Sequence, residues 1–489
     1  MSTAALLTTG FSPVSVDPPA GTVPLPAEVP LGEVVELTGS ALGPGTLSSD
    51  NVEYLGTIPL DAPGVGGEVV EHDDGRTYFF ATGLKGLSIY DVEDPAAPVL
   101  VGALAFPHSQ NEDVKVSEDG TRTVISADGA FLLPAMPQSV GIHVIDTSDP
   151  TAPELVASID ESNHTAVCAD ADCDWIYGST TGGIYDATRA DEGTITRVEE
   201  RDWNVLDDGT TVGGRHALNR DEAGIVISDS NPRLVLDPRP HTHDGETFGP
   251  DNPRLLAHAE RNDDLDNSLQ HNNVRPNAAE WQPRRHIPNG PNAGPIPPDA
   301  YDEPEGTGPL PEGSLRDGEL LIANSESNLN PQCSMAGGIS TWDLRDFDRG
   351  RAPVQLESFL PVSGDYADGN PAVNALGCSG HWFTVNDGLV TASWYEHGVR
   401  FLEIGMDTGA IEEVGFFQPV ATQAGAAYWI DDEHVYNVDY ARGIDILRFD
   451  RDGERPTEDE RTTSWLANLG RTAFLSEQDR FTCRLATVD

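Results

Sequence analysis

Residues 86–104 read "GLSIYDVEDPAAPVLVGAL" and residues 141–159 read "GIHVIDTSDPTAPELVASI". Each phrase is a glycine, a short apolar strand, an aspartate, a Pro-containing turn and a second apolar strand. Looser copies follow at 182–200 ("GGIYDATRADEGTITRVEE"), 232–240 ("PRLVLDPRP"), 337–360, 398–417 and 443–456, which makes seven. A phrase recurring at roughly fifty residues marks a repeat architecture, in which each copy is one supersecondary unit.

Upstream of the copies lie pairs of strands joined by polar turns, as in "EVVEHDDGRTYFFAT" (68–82), "DVKVSEDGTRTVISAD" (113–128), "AVCADADCDWIYGST" (166–180) and "YWIDDEHVYNVDY" (428–440). The turns HDDG, SEDG and ADAD are hairpin chemistry. Each unit is therefore four short antiparallel strands, and seven units predict an all-β fold, a seven-bladed β-propeller. The last phrase lacks an outer strand. "NVEYLGTIPL" (51–60) matches the outer-strand segments and is expected to close the ring from the N-terminus, so that no edge is left open. The expected organisation is a Pro/Gly-rich arm at 1–50, the propeller at 51–456 and a tail at 457–489 with a short helix. A Pro-rich insertion at 276–316 falls within the fifth blade.

The phrase G-(L/I)-x-(I/V)-(Y/I)-D-x-x-D-P-x-x-P-x-L-V resembles the LVIVD-repeat propellers, closely at 86–104 and 141–159 and loosely elsewhere. The resemblance spans most of 51–450. It implies a propeller and an exported bacterial or archaeal protein, and it implies little about activity, because propellers host many chemistries.

The 489 residues carry 81 acidic and 29 basic side chains, a formal charge of −52. Such a field repels nucleic acid and anionic membranes, which excludes both as expected partners. No apolar run is long enough to cross a membrane as a helix. Of five cysteines, Cys168 and Cys173 flank a tight acidic turn and are expected to pair; Cys333 and Cys378 form a second expected pair. Disulfides fit an oxidising compartment, so an extracellular or cell-surface location is expected, although no export signal is legible; a monomer is expected as well.

Aligned by their turns, the inner strands of blades three to six open with His164, His216, His271 and His381. Inner strands run along the central channel, so residues at the same end of each converge on one mouth. Four of thirteen histidines share this register. Converging neutral imidazoles suit a transition metal such as Cu, Fe or Zn, and Asp113 and His108, at the entry to blade two, are placed as catalytic or proton-transfer groups. The alternative is a set of structural histidines that order channel water. By resemblance, carotenoid oxygenases hold iron with four axial histidines in a seven-bladed propeller, and selenium-binding-protein-like methanethiol oxidases are propellers with histidine-bound copper; neither family's wider motifs occur here. Cys378 is a weaker ligand candidate. His241, His243, Glu396 and His397 read as surface residues, and Asp91, Asp146 and Asp343 as turn caps. Two functions follow as expectations: a metal-dependent oxidoreductase or hydrolase acting on a small molecule, or a non-enzymatic scaffold for a protein or glycan.

Overall fold

The structure, a computed structural model, describes residues 31–32, 34–35, 37, 46–60, 64–105, 114–128, 140–198, 205–206, 209–259, 268–283, 314–327, 337–360 and 379–466. Seven antiparallel four-stranded blades follow one another along the chain. Blade 1 comprises Gly64–Glu71, Thr77–Gly83, Gly86–Asp91 and Val99–Ala105, and blade 2 comprises Val114–Val116, Arg122–Ala127, Gly141–Asp146 and Glu154–Ile159. Blade 3 is Ala166–Cys168, Trp175–Gly178, Ile184–Asp186 and Thr196–Val198; blade 4 is Leu218–Arg220, Val226–Ser228, Leu234–Asp237 and Arg254–His258. Blade 5 is Ser268–Val274, Leu320–Ser327, Ile339–Asp343 and Val354–Phe359; blade 6 is Phe383–Asn386, Leu389–Ser393, Val399–Ile404 and Ile411–Gln418.

Blade 7 is Ala424–Trp429, His434–Asp439 and Gly443–Phe449, completed by the N-terminal strand Val52–Ile58. That strand pairs from Val52 opposite Phe449 to Ile58 opposite Ile444, so the first strand of the ring closes the last blade as the sequence predicts. Thr57 Oγ1 donates to Asp445 Oδ1 at 2.5 Å, a buried bond that pins the closure. The arm does more than expected. Leu47–Ser48 adds a fifth strand to blade 6, with Leu47 opposite Gln418. Further upstream, Val34 bridges to Val99 and the Gly32 N–H donates to Leu100 O at 2.7 Å, on blade 1. The described arm residues thus reach blades 6 and 1, on either side of the blade 7 seam that Val52–Ile58 closes.

The repeated phrase has a physical reason at both ends. Its glycine opens the third strand at positive φ, +132° at Gly86 and Gly141 and +116° at Gly443, which disfavours any side chain. Its aspartate closes the strand and caps the turn. Oδ1 of Asp91, Asp146 and Asp343 accepts the N–H two residues on, at 3.1, 2.9 and 2.8 Å. Each pair of neighbouring blades shares its own buried apolar cluster. Phe79 of blade 1 sits between Tyr428 and Tyr436 of blade 7, with centroids 5.5 and 5.4 Å away. Cys168 and Cys173 are disulfide-bonded across the blade 3 hairpin; Cys333 and Cys378 lie outside the described residues. Within blade 4, His241–His243 and Glu246–Phe248 pair as a small hairpin, with His243 exposed as expected and His241 half-buried.

The tail forms a helix, α1, at Glu458–Leu466. Thr457 and Glu460 bond reciprocally at its start, Thr457 N–H to Glu460 Oε2 at 2.8 Å and Glu460 N–H to Thr457 Oγ1 at 3.3 Å, a capping box. Its Trp465 is buried against blade 6, and with it go Glu396 and His397, which are 5% and 1% exposed rather than on the surface. Sequence alone missed this because a strand-turn segment gives no sign of what covers it.

His397 Nε2 donates to Trp465 O at 3.1 Å. Burial, aided by the neighbouring Arg400 guanidinium, pushes this imidazole down to about 3. The folded pKa is lowered, so its stabilisation is full above the unfolded value near 6.5 and is lost as pH falls towards 3. At pH 5 the loss is about 2 kcal/mol. The urea midpoint of wild type is therefore expected to fall more between pH 7 and pH 5 than that of His397→Gln. Parallel pH profiles would refute a neutral buried His397.

Candidate metal centre

The inner strands all run the same way along the channel, and residues near their starts meet at one end: His164, His216 and His381 just ahead of their strands, His271 within Ser268–Val274. His164, His216 and His271 are fully buried and His381 is 1% exposed. Their rings touch in blade order. Centroids are 4.6 Å apart for His164 and His216, 3.9 Å for His216 and His271, and 4.2 Å for His271 and His381. The four predicted histidines are thus brought into one arc. His108 and Asp113, the predicted proton-transfer pair, lie outside the described residues.

Interblade bonds hold the arc. Ser126 Oγ donates to His164 O at 3.3 Å, Thr165 Oγ1 to His216 O, and Asn324 Nδ2 to His381 O. Three rings are oriented through Nδ1. His164 Nδ1 meets Asp128 Oδ2 at 2.9 Å, His216 Nδ1 meets His271 O at 3.2 Å, and His381 Nδ1 meets Gly425 O at 2.5 Å. Since a carbonyl or carboxylate only accepts, each Nδ1 carries the proton in the neutral ring, and the lone pair is on Nε2. This is how metal-ligating histidines are usually fixed, with the far ring nitrogen donating to a carbonyl or carboxylate.

Among the described residues the tightest ligand group is not four imidazoles. It is His216, His271 and Glu326, whose ligand atoms lie within 4.8 Å of one another and whose side chains are all buried. His271 Nε2 stands 3.9 Å from Glu326 Oε2. Metal–N and metal–O bonds of about 2.0–2.2 Å put ligand atoms about 3–3.5 Å apart, so the triad would have to draw in by about 1 Å to hold an ion. The other oxygen of Glu326 accepts the Tyr395 hydroxyl at 2.6 Å. Tyr395 has φ +29°, an unfavourable value for a non-glycine, and its ring packs on His381 with centroids 4.9 Å apart.

Glu326, Asp128 and Tyr395 were missed because only the inner strands were aligned. They sit at or beyond the ends of second strands, and the signal was there to read: "ISAD", "ISDS", "NSES" and "NVD" end apolar strands with Asp128, Asp229, Glu326 and Asp439. These are buried carboxylates at the channel. Burial pushes Asp229 up to about 6 against the pull of Arg233 and Asn273; burial, then the neighbouring Asp445 charge, does the same to Asp439.

The fold and the site together define a seven-bladed β-propeller with a buried histidine–carboxylate group in its channel. No family model matches the chain, and no curated protein sequence does. Among solved structures the chain is similar to the β-propeller domain of Myceliophteria thermophila Cps50 (Swd1), at 10% identity, covering 82% of this chain and all of that one, with TM-score 0.49. It is also similar to a protein provisionally described as a 6-phosphogluconolactonase from Bacteroides uniformis (9% identity, 77% of this chain and 92% of that one, TM-score 0.48). A third is Chaetomium thermophilum Raptor (11% identity, 84% of this chain and 30% of that one, TM-score 0.46). Likenesses at this level carry no argument about activity, and the blade count rests on the strand pairing itself.

Proposed function

We propose that the protein is an exported, LVIVD-like β-propeller that binds a transition metal ion through His216, His271 and Glu326 and acts with it on a small molecule. The observation that carries the reading is the triad itself, three buried ligand atoms within 4.8 Å of one another. Two imidazoles and one carboxylate leave coordination positions open and suit Zn or Fe better than a soft Cu site. The ion would supply Lewis acidity or redox chemistry. His381 and His164 flank the triad, the nearest imidazoles for a fourth ligand or a proton relay. The disulfide fits an oxidising compartment.

The test is elemental analysis of protein purified without chelator, and again after soaking with Zn, Fe or Cu and desalting. Near-stoichiometric metal supports the reading; no retained metal under any condition refutes it and leaves the scaffold alternative. Tyr395→Phe is expected to weaken metal retention about tenfold in chelator competition, because the hydroxyl that orients Glu326 is gone while the ring packing stays.

A further inference from the structure

The opposite end of the channel opens into a funnel. Two adjoining cavities of about 620 and 590 Å³ share Glu68, Lys115, Asn219 and Arg220 among their walls, and between them they touch the inner strands or hairpin turns of all seven blades. Lys115 is half-buried at the throat and is one of only two lysines in the chain, the other being Lys85. Its ammonium lies 5.1 Å from the Trp382 ring centroid and 3.1 Å from Asn219 Oδ1. Asn219 Nδ2 in turn donates to Asn272 Oδ1 at 2.8 Å and Asn273 O at 3.0 Å, so a row of amides is fixed in place. Trp382 floors the throat and separates it from the histidines, its ring 6.2 Å from that of His271.

We infer that this funnel binds a small neutral polyhydroxylated molecule, a mono- or disaccharide. The volume suits a ligand of that size. Charge decides the class. Glu68, Glu222 and Asp387 line the main cavity beside the Asp221–Arg275 pair, and the whole chain carries −52, which disfavours an anion. The wall arginines are already matched, Arg275 to Asp221 and Arg220 to Glu118, both at 2.6 Å. Lys115 at the throat disfavours an amine. Hydroxyl groups both donate and accept, and so match a wall that alternates carboxylates with amides, an ammonium and Thr384. Tyr428, Trp429 and Trp382 supply apolar surface for the C–H faces of a sugar ring. The inference does not rest on the metal reading, and metal-free protein serves for its test.

Two lysines make the test clean. The protein is acylated with an N-hydroxysuccinimide acetate, and the rates at Lys115 and Lys85 are read by peptide mass spectrometry. The additives are glucose, maltose, sodium gluconate, tetramethylammonium chloride (a cation that cannot be acylated) or sodium chloride, at matched ionic strength. Glucose or maltose is expected to slow Lys115 at least fivefold and leave Lys85 unchanged. Equal slowing by gluconate, chloride or tetramethylammonium, or none by either sugar, overturns the assignment. Calorimetric titration of the same sugars gives a reading that needs no lysine reactivity. Heat of binding in wild type that is lost in Asn219→Ala supports the inference, and its absence in wild type ends it.

Discussion

Glu326→Gln is expected to release the metal proposed for the channel while the ring stays folded. Glutamine keeps the volume and keeps an oxygen for the Tyr395 hydroxyl, so packing around residue 326 changes little. What it removes is the charge that completes the His216–His271–Glu326 triad. Binding energies of about 10–16 kcal/mol shared among about four ligands assign about 3 kcal/mol to each, a loss of about a hundredfold in affinity. His216→Ala is expected to do at least as much, since it also removes the ring between His164 and His271. His164→Ala is the informative contrast. That imidazole is bound to Asp128 and lies outside the triad, so its loss acts through orientation and costs about tenfold. Metal stoichiometry and chelator competition give the affinities, and urea midpoints check the fold. Should Glu326→Gln keep its metal while His164→Ala loses it, the four imidazoles and not the triad hold the ion. Unchanged metal in all three variants removes the channel as its site.

The ring was legible because its signal repeats. Gly141, Asp146 and the proline turn after them recur in recognisable form around the circle, and each has a local cause: positive φ, an N–H to cap, a chain to reverse. The closing strand was legible for the same reason, since residues 51–60 match other outer strands. The histidine register was readable too, because equivalent positions in a repeat map to equivalent positions in space. Glu326 shows where this stops. A lone glutamate among 81 acidic residues carries no contrast, and it gains meaning only when blade 5 sets it 3.9 Å from His271. His397 was misread because its burial comes from α1, an element with no counterpart in the repeat.

Arg400→Met is expected to be the most destabilising single change around that helix, at about 3–5 kcal/mol. Arg400 is fully buried on the third strand of blade 6. Its guanidinium bonds Glu413 Oε1 at 3.0 Å, Gln418 Oε1 at 2.8 Å, Ser464 Oγ at 2.7 Å and the His397 carbonyl at 3.1 Å. It also lies 3.6 Å from the Trp465 ring centroid. Burial pulls its pKa down only to about 10, so it remains charged at neutral pH. Methionine fills much of the space but strands Glu413, a buried carboxylate whose other oxygen is held by Trp465 Nε1 at 3.0 Å. The cost is that of an uncompensated buried charge rather than of the lost contacts. Arg400→Met/Glu413→Leu should therefore recover most of the loss, because removing both charges removes their desolvation penalty as well. Urea denaturation of the two single variants and the double variant measures the coupling. If the double variant is as unstable as the sum of the singles, the two side chains act independently, and α1 is held by the packing of Trp465 on Trp394 and His397 rather than by the ion pair.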